Sequence, residues 1–169
     1  MLKGKTVVLG VTGCIAAYKA CEIVSSLKKK GATVIVIMTP HSTEFVQPLS
    51  FETLSGNRVI TDLFDRDFDF EVEHVALAKR ADVFVVAPAT ANTIGKIANG
   101  IADDMLTTTI MACKAPKIIC PAMNTNMYEN ENTTENIARL KKQGYKIIEP
   151  ISGRLAPRRG TGRCRSGRA

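Results

Sequence analysis

Two polar side chains of this chain, His74 and Asn124, have the chemistry expected of a reactive site. An imidazole changes charge near neutral pH, so His74 could accept a proton from a thiol or hold a carboxylate in place. An arbitrary histidine, however, is more often a surface or capping residue.

Asn124 carries both a hydrogen-bond donor and an acceptor. It follows an apolar run, 117–120, that is typical of a buried parallel strand. Ligands of open α/β sheets bind just beyond the carboxyl ends of the strands. We therefore expect Asn124 on a loop at the mouth of a site, although an asparagine after a strand often only satisfies loop backbone.

A second candidate is the turn Gly10-Val11-Thr12-Gly13, which follows the first apolar run. Glycines between a strand and a helix let a phosphate approach the backbone N–H groups at the helix N-terminus. The spacing is not that of a dinucleotide fingerprint, and the end of the next strand offers Thr39, His41 and Ser42 instead of a carboxylate for a ribose. The pattern favours a mononucleotide or a similar phosphate ligand, with His41 structural or next to it. A tight turn without a ligand explains the glycines alone equally well.

These residues need a framework, and the hydrophobic pattern predicts one. The predicted strands are 6–9, 33–38, 83–87, 117–120 and 146–148, with a minor strand at 59–60. The predicted helices are about 14–30, 39–46, 48–55, 74–80, 92–99, 103–113 and 132–143, and 62–73 is expected to be a surface loop. Asp103 and Asp104 are expected to cap the helix that they begin. Alternation of strands and helices predicts an α/β fold, doubly wound and Rossmann-like, with a mainly parallel sheet. Residues 1–150 should form one domain, and 151–169 a basic flap or tail.

Composition narrows the class of protein. The chain has 169 residues, of which 45% are apolar, and this suits a single domain with a proper core. Six of its 23 basic residues are arginines within 151–169, which leaves 17 basic against 16 acidic residues in 1–150. This basic end lacks interleaved aromatics, so we expect no nucleic-acid partner. The five cysteines form no CxxC pair, and no apolar stretch reaches the roughly 20 residues of a membrane span. We therefore expect a cytoplasmic protein with reduced thiols, no metal site and no membrane contact.

Four segments carry a family resemblance. Residues 121–128, Pro-Ala-Met-Asn-Thr-Asn-Met-Tyr, are similar to the PxMNxxMW signature of the homo-oligomeric flavin-containing cysteine decarboxylases, with Tyr128 in place of tryptophan. Residues 10–19, Gly-Val-Thr-Gly-Cys-Ile-Ala-Ala-Tyr-Lys, resemble the opening of that family, which often has serine where Cys14 stands. Residues 88–93, Pro-Ala-Thr-Ala-Asn-Thr, resemble its Pro-Ala-(Ser/Thr)-Ala-Asn-Thr loop. With His74, four separate matches occur in family order across residues 7–128, and together they are highly specific.

The resemblance implies a cofactor, a reaction and an assembly. FMN is implied, with contacts from Gly13, Cys14, Ile15, Thr39, Ser42, Thr90, Ala91, Asn92, Thr93 and Ala122. His74 and Asn124 are implied as catalytic residues, with Asn124 holding the substrate carboxylate and Met127 lining the substrate pocket. The implied reaction is a redox-neutral decarboxylation of phosphopantothenoylcysteine to phosphopantetheine in coenzyme A biosynthesis, through a thioaldehyde and an enethiolate. The family also implies a homo-oligomer, a trimer or a dodecamer, with the flavin at a subunit contact.

The chain departs from the family pattern near its end. Gly153-Arg154-Leu155-Ala156 matches the coenzyme A branch, but Pro157 stands where a cysteine acid is expected for the last reduction. Proline cannot donate a proton, and Cys164 lies seven residues further on. Either the last reduction fails in this chain, or the product is an enethiol, as in the peptidyl-cysteine branch. The Ser-Gly-x-Leu-Ala run favours the first reading.

Two further classes of flavin protein are alternatives to a cysteine decarboxylase. A non-catalytic FMN-binding regulatory subunit is the alternative from another class, although its long acidic extensions are absent here. A flavin prenyltransferase shares the general fold, but the motif around Asn124 argues against it. The chain is also too short to contain the ligase domain that many bacterial members of the family carry.

Overall fold

The computed structural model describes residues 1–63, 73–153 and 164–166 of the chain. The helices are α1 Lys19–Lys29, α2 Pro48–Ser55, α3 Glu73–Arg80, α4 Ala91–Ala98, α5 Met105–Ala112, α6 Thr125–Glu129 and α7 Glu131–Lys142. The strands are β1 Thr6–Val11, β2 Thr33–Met38, β3 Val83–Ala89, β4 Lys117–Asn124, β5 Lys146–Ile147, β6 Ile151–Gly153 and β7 Cys164–Ser166. Two single turns of 3-10 helix span Ile15–Tyr18 and Pro40–Ser42.

Five parallel strands form the centre of the sheet, in the order β2-β1-β3-β4-β5. Strands that are covered on both faces read as continuous apolar runs, and the buried stretch of β2 from Val34 to Met38 is such a run. The order of strands reverses between β1 and β3, and this reversal is where doubly wound sheets bind ligands, at the carboxyl ends of the strands. The predicted doubly wound α/β fold is confirmed.

The two faces of the sheet are covered unequally. On one face, α3, α4, α5 and α7 bury a core that includes Phe84, Ile94, Leu106 and Leu140. On the other face, α1 and α2 cover β1 and β2. There the outward side chains of β3 and β4 are only partly buried, as Val85 and Cys120 show.

The predicted end of the first strand at residue 9 is wrong, because β1 continues through Gly10 to Val11. Gly10 therefore lies inside a strand and not in a turn. A Cβ atom on Gly10 would lie 2.6 Å from Cδ1 of Leu106. The glycine is needed for close packing of α5 against the sheet, a contact between segments almost a hundred residues apart that local sequence does not reveal.

The prediction that Asn124 lies on a loop is also wrong. β4 does not end at residue 120 but continues through the Pro-Ala-Met-Asn segment, and Asn124 is its last residue. The added length has a partner, because Ala122, Met123 and Asn124 pair antiparallel with β7. A short helix that sequence analysis did not predict, α6, then begins directly at Thr125.

Part of the basic C-terminal segment joins the sheet. β6 and β7 pair antiparallel with each other, and the register sets Asn124 of β4 opposite Cys164 of β7. Strands of three residues are too short to be recognised by periodicity. Pro157 and the rest of 154–163 lie outside the described residues, as do 64–72 from the predicted loop.

Four further local predictions are only partly confirmed. The predicted helix at 39–46 is reduced to the single 3-10 turn Pro40–Ser42. The expected minor strand at 59–60 is a single bridge between Ile37 and Ile60. Asp104 caps α5 as predicted, with its carboxylate accepting the Thr107 N–H at 2.8 Å. Asp103 instead forms an ion pair with Lys96 of α4 at 2.7 Å.

Candidate functional site

The loops that follow β1 and β3 are joined by one buried hydroxyl group. Thr12 is only 1% exposed. Its Oγ1 donates a hydrogen bond to the Pro88 carbonyl oxygen at 2.7 Å and accepts one from the Thr90 N–H at 3.0 Å. Both partners belong to the 88–93 segment that was predicted to hold a cofactor. The two predicted cofactor segments are therefore in direct contact.

The loops that follow β1 and β2 also meet at this edge of the sheet. The Thr39 N–H donates to the Val11 carbonyl oxygen at 3.0 Å. A Cβ atom on Gly13 would lie 2.7 Å from Cβ of His41 and 2.9 Å from its carbonyl carbon. The lack of a side chain at Gly13 is therefore a requirement of this contact. His41 is exposed beside the turn.

The turn after β1 presents uncapped backbone N–H groups. Cys14 precedes the 3-10 turn Ile15–Tyr18 with an extended backbone, and no side chain caps that turn. The first N–H groups of a helical turn have no partner within it, so they are available to an anion. The predicted residues Gly13, Cys14 and Ile15 lie together here, and Ile15 is 46% exposed.

The two hydroxyl residues after β2 have different surroundings. Ser42 is fully buried, and its hydroxyl donates to the Thr39 carbonyl oxygen at 2.6 Å. Ser42 thus shapes the turn with its one donor, and only its lone pairs remain for a ligand. The Thr39 side chain makes no capping bond to the turn that it begins.

Thr90 connects the β3 loop to the start of α4. It caps α4, with its Oγ1 accepting the Thr93 N–H at 3.3 Å and lying 3.1 Å from the Thr93 hydroxyl. Thr93 is buried, Ala91 is partly buried and Asn92 is exposed. The α4 N-terminus is therefore the second helix start at this edge, with Asn92 as its accessible polar side chain.

Asn124 lies at the end of β4, next to the β3 loop, since Ala89 pairs with Pro121. Its side-chain oxygen accepts the Asn126 N–H at 2.8 Å and so caps α6. The amide nitrogen, with two donors, is the part of the side chain that this bond does not use. Met127 projects from α6 with 49% of its surface exposed. An exposed amide beside a flexible thioether suits the binding of a carboxylate-bearing substrate.

His74 is the second residue of α3 and is partly buried. Helices that connect parallel strands run antiparallel to them. Because α3 leads into the amino end of β3, its first turn is the end nearer the carboxyl edge of the sheet. His74 and Asn124 are thus carried by separate elements, and the structure gives no direct contact between them within the described residues.

A cavity of about 470 Å³ opens beside these loops, between α1 and the end of β4. Ala122, one of the predicted cofactor residues, lines it together with Pro88 and Cys120. Burial raises the pKa of the Cys120 thiol to about 11, so this cysteine stays protonated and is a poor nucleophile. The cavity wall is therefore apolar and uncharged at this point.

Taken together, these residues fit a flavin mononucleotide. The first N–H groups of the turn Ile15–Tyr18 can donate to the phosphate, and none of the predicted contact residues carries a negative charge that would repel it. Among the described residues, no group of histidine, cysteine and acidic side chains could hold a metal ion, and no helix is long and apolar enough to cross a membrane.

Sequence analysis missed one residue of this site, Thr12. It was noted only as part of the glycine turn, and its hydrogen-bond partners lie 76 and 78 residues away. The available signal was a hydroxyl residue placed between an apolar strand and a glycine, in a position that the strand must bury.

Comparison with known proteins gives one family model, described as "Flavoprotein", which matches residues 1–168. The coenzyme A biosynthesis bifunctional protein CoaBC of Bacillus subtilis strain 168 is 51% identical over 156 residues, which cover 92% of this chain and 38% of that protein. The chain therefore spans about two fifths of the length of this relative. A probable phosphopantothenoylcysteine decarboxylase of Streptococcus mutans is 46% identical over 154 residues, which cover 90% of this chain and 86% of that protein. Among solved structures, the FMN-dependent cysteine decarboxylase SpaF has a TM-score of 0.85 and 34% identity, and the match covers 90% of this chain and 88% of SpaF.

Proposed function

Because this chain belongs to the flavoprotein family, we propose that it is an FMN-dependent decarboxylase acting on phosphopantothenoylcysteine in coenzyme A biosynthesis. The observation that carries the proposal is the position of Asn124. It ends a central strand, β4, with its side chain exposed. β4 pairs with β3, whose following loop Thr12 joins to the turn after β1. The names of the two relatives support the substrate. The odd number of cysteines, five, supports reduced thiols and action in the reducing cytoplasm.

The proposed flavin site is the carboxyl edge around β1, β2 and β3. The turn that begins at Gly13 would bind the phosphate through its backbone N–H groups. The proposed contacts are those that the family resemblance implies: Gly13, Cys14, Ile15, Thr39, Ser42, Thr90, Ala91, Asn92, Thr93 and Ala122. When bound, FMN would oxidise the thiol-bearing carbon of the substrate and later return the hydride.

The chain's own residues would position the substrate and move its protons. The Asn124 amide nitrogen would donate to the substrate carboxylate, since its oxygen already caps α6. His74 would accept the proton of the substrate thiol, because an imidazole nitrogen can act as a general base. Met127 would contact the apolar part of the substrate from α6.

We further propose a homo-oligomer, a trimer or a dodecamer, in which a second copy of the chain covers the open face of the sheet. The apolar side chains of β3 and β4 on the α1 side, such as Val85, are only partly buried. The lining of the cavity on that face includes Ile23 and Leu27 of α1, together with the charged residues Lys19, Glu22 and Lys30 at its edge. Ile23→Glu should therefore lower the mass measured by light scattering, whereas Met111→Glu, an exposed position on α5, should leave it unchanged.

The test of the activity is a visible absorption spectrum followed by anaerobic addition of phosphopantothenoylcysteine. A yellow protein whose bands bleach as carbon dioxide is released would support the proposal. His74→Asn should keep the flavin bands and abolish carbon dioxide release. A colourless protein that cannot be reconstituted with FMN would rule the proposal out.

The same experiment addresses the departure at Pro157. Bleaching that persists, with an enethiol product, is expected if the last reduction lacks its acid. Recovery of the bands, with phosphopantetheine formed, would show that another group donates the proton. A peptidyl-cysteine decarboxylase, the branch whose product is an enethiol, is the second candidate, and the likeness to SpaF, an FMN-dependent cysteine decarboxylase, is compatible with it. A C-terminal cysteine peptide that is decarboxylated in place of phosphopantothenoylcysteine would favour it.

A non-catalytic regulatory subunit remains the alternative from another class. Its function in cells would survive the change His74→Asn, because regulation needs FMN binding but no proton transfer. An enzyme would lose its function with the same change. Complementation of a strain that lacks the decarboxylase separates the two, because only an enzyme rescues that strain and its rescue is lost with His74→Asn, whereas a regulatory subunit does not rescue it in either form.

A further inference from the structure

Thr12 makes the contact between the first and third loops of the candidate site through its buried hydroxyl. Its hydroxyl does not hydrogen-bond to the backbone of its own turn, as threonine hydroxyls often do. It is a donor to Pro88 and an acceptor from Thr90, at 2.7 and 3.0 Å. One atom thus satisfies two backbone groups on either side of Ala89, which ends β3.

The main chain of Thr12 is fixed as well. Its carbonyl oxygen accepts the Cys14 N–H at 2.9 Å, which shapes the turn that leads into the uncapped 3-10 helix. Gly13, the next residue, is packed against the backbone of His41 in the second loop. A shift of Thr12 would therefore displace backbone in all three loops.

We propose that Thr12 is a positioning residue that sets the separation between the turn after β1 and the loop after β3, and so preorganises the FMN site. This inference rests on the proposed flavin function. The hydroxyl aligns the N–H groups after Gly13 with the α4 N-terminus that Thr90 caps, so that one ligand can reach both. The residue touches neither substrate nor reacting atoms in this assignment.

Preorganisation has a specific consequence that a merely stabilising bond does not have. If Thr12 only holds the core together, its loss lowers the thermal midpoint and leaves the FMN affinity of the folded protein unchanged. If Thr12 positions the loops, its loss lowers FMN affinity even when the apoprotein keeps its fold, because the ligand must then order the loops itself.

The test uses three variants of the full chain. Thr12→Val keeps the shape of the side chain and removes the hydroxyl, and Thr12→Ser keeps the hydroxyl. Thr109→Val is the matched control, since Thr109 is also fully buried but donates only to the Met105 carbonyl oxygen of its own helix, at 2.6 Å. For each protein, the FMN dissociation constant and the visible circular dichroism of bound FMN are measured beside the thermal midpoint of the apoprotein.

We expect Thr12→Val to raise the FMN dissociation constant about tenfold or more, as loss of one or two buried hydrogen bonds implies. The circular dichroism of the bound flavin should change with it. Thr12→Ser should stay within about twofold of the wild type, and Thr109→Val should lower the thermal midpoint without changing FMN affinity. If Thr12→Val does not fold, Thr12→Ala, which adds no bulk, provides the same comparison with Thr12→Ser.

Wild-type FMN affinity and circular dichroism in Thr12→Val would overturn the assignment of Thr12 alone. Equal losses of affinity in Thr12→Val and Thr109→Val would also overturn it, because the effect would then be one of general stability. A wild-type protein that does not bind FMN would overturn this assignment and the proposed function together, so the two failures are distinguishable.

Discussion

The side-chain oxygen of Asn124 accepts a hydrogen bond from the backbone N–H of Asn126 at 2.8 Å. This bond fixes the side chain at the junction between β4 and α6, where the strand ends and the helix begins. The amide nitrogen is then the group that faces away from the cap. The oxygen is thus used by the fold, and the nitrogen is the group through which the side chain would bind the proposed substrate.

Replacement of Asn124 by aspartate should separate these two roles. Aspartate caps a helix as well as asparagine does, so the fold and the FMN content should be unchanged. It offers no N–H donor and adds a negative charge, so binding of a substrate carboxylate should fail. We expect kcat/KM for carbon dioxide release to fall on the order of 100-fold or more.

The matched control for this change is Asn130→Asp. Asn130 caps α7 with the same geometry, its oxygen accepting the Asn132 N–H at 3.0 Å. Because Asn130 lies beyond α6, its replacement should leave kcat/KM at the wild-type value. Equal losses of activity in both variants would contradict the role assigned to Asn124.

A second prediction concerns the closeness of the first two loops. Gly13→Ala would bring a Cβ atom to 2.7 Å from Cβ of His41 and 3.0 Å from its carbonyl oxygen. Such overpacking typically costs about 1–3 kcal/mol and moves backbone. We expect the urea midpoint of the apoprotein to fall and FMN affinity to fall at least about tenfold, as a displaced phosphate turn implies. Fluorescence titration of FMN measures the second effect.

Gly95→Ala in α4 is the control for Gly13→Ala. The nearest atom to a Cβ at Gly95 is Nδ2 of Asn136 at 3.6 Å, an ordinary contact. Alanine inside a helix is favoured over glycine by roughly 0.5–1 kcal/mol, so this variant should be slightly more stable and should bind FMN normally. Unchanged FMN binding in Gly13→Ala would show that the loops can separate without harm to the site.

Local sequence predicted the elements whose ends are marked by local signals. The strand Thr33–Met38 lies between Gly31 and the proline at 40, and α2 ends at Gly56, which adopts a left-handed backbone with φ of 69°. Both were predicted to the residue. Glycine in this conformation ends a helix whatever surrounds it, so no tertiary information is needed.

Contacts between distant segments were not predictable in the same way. Asn124 is in a strand because β7, forty residues later, supplies its partner. Thr12 is part of the site because Pro88 and Thr90 are brought to it by the parallel pairing of β1 with β3. The family motifs identified the segments of the site, but only the fold reveals which of their atoms are already used by the protein.

A third prediction follows from the pKa of Cys120, which burial raises to about 11. The thiolate is the form of a cysteine that reacts with alkylating reagents. At pH 8, Cys120 in the folded protein should therefore react roughly 100-fold more slowly than in the urea-unfolded chain, where a cysteine has its ordinary pKa. Peptide mass spectrometry after timed exposure to iodoacetamide measures this ratio. Equal rates in the folded and unfolded protein would show that the thiol is neither buried nor protonated.

The fourth prediction is a dependence of stability on pH that arises at the amino end of the sheet. The Asp82 carboxylate accepts the Thr6 N–H at 2.8 Å and the Lys5 ammonium at 2.9 Å, and these two bonds lower its pKa below the ordinary aspartate value. A lowered pKa means that the folded state favours the ionised carboxylate. The stabilisation is therefore complete above the unfolded pKa of about 3.9 and is lost as pH falls through the folded value. Asp82→Asn should lower the thermal midpoint at pH 7, and the difference from the wild type should shrink below about pH 4.

Glu135→Gln, which removes an exposed carboxylate of α7, controls for the change in net charge. A difference between Asp82→Asn and the wild type that stays constant from pH 7 to pH 3 would contradict the assignment, because an uncharged contact would then account for it.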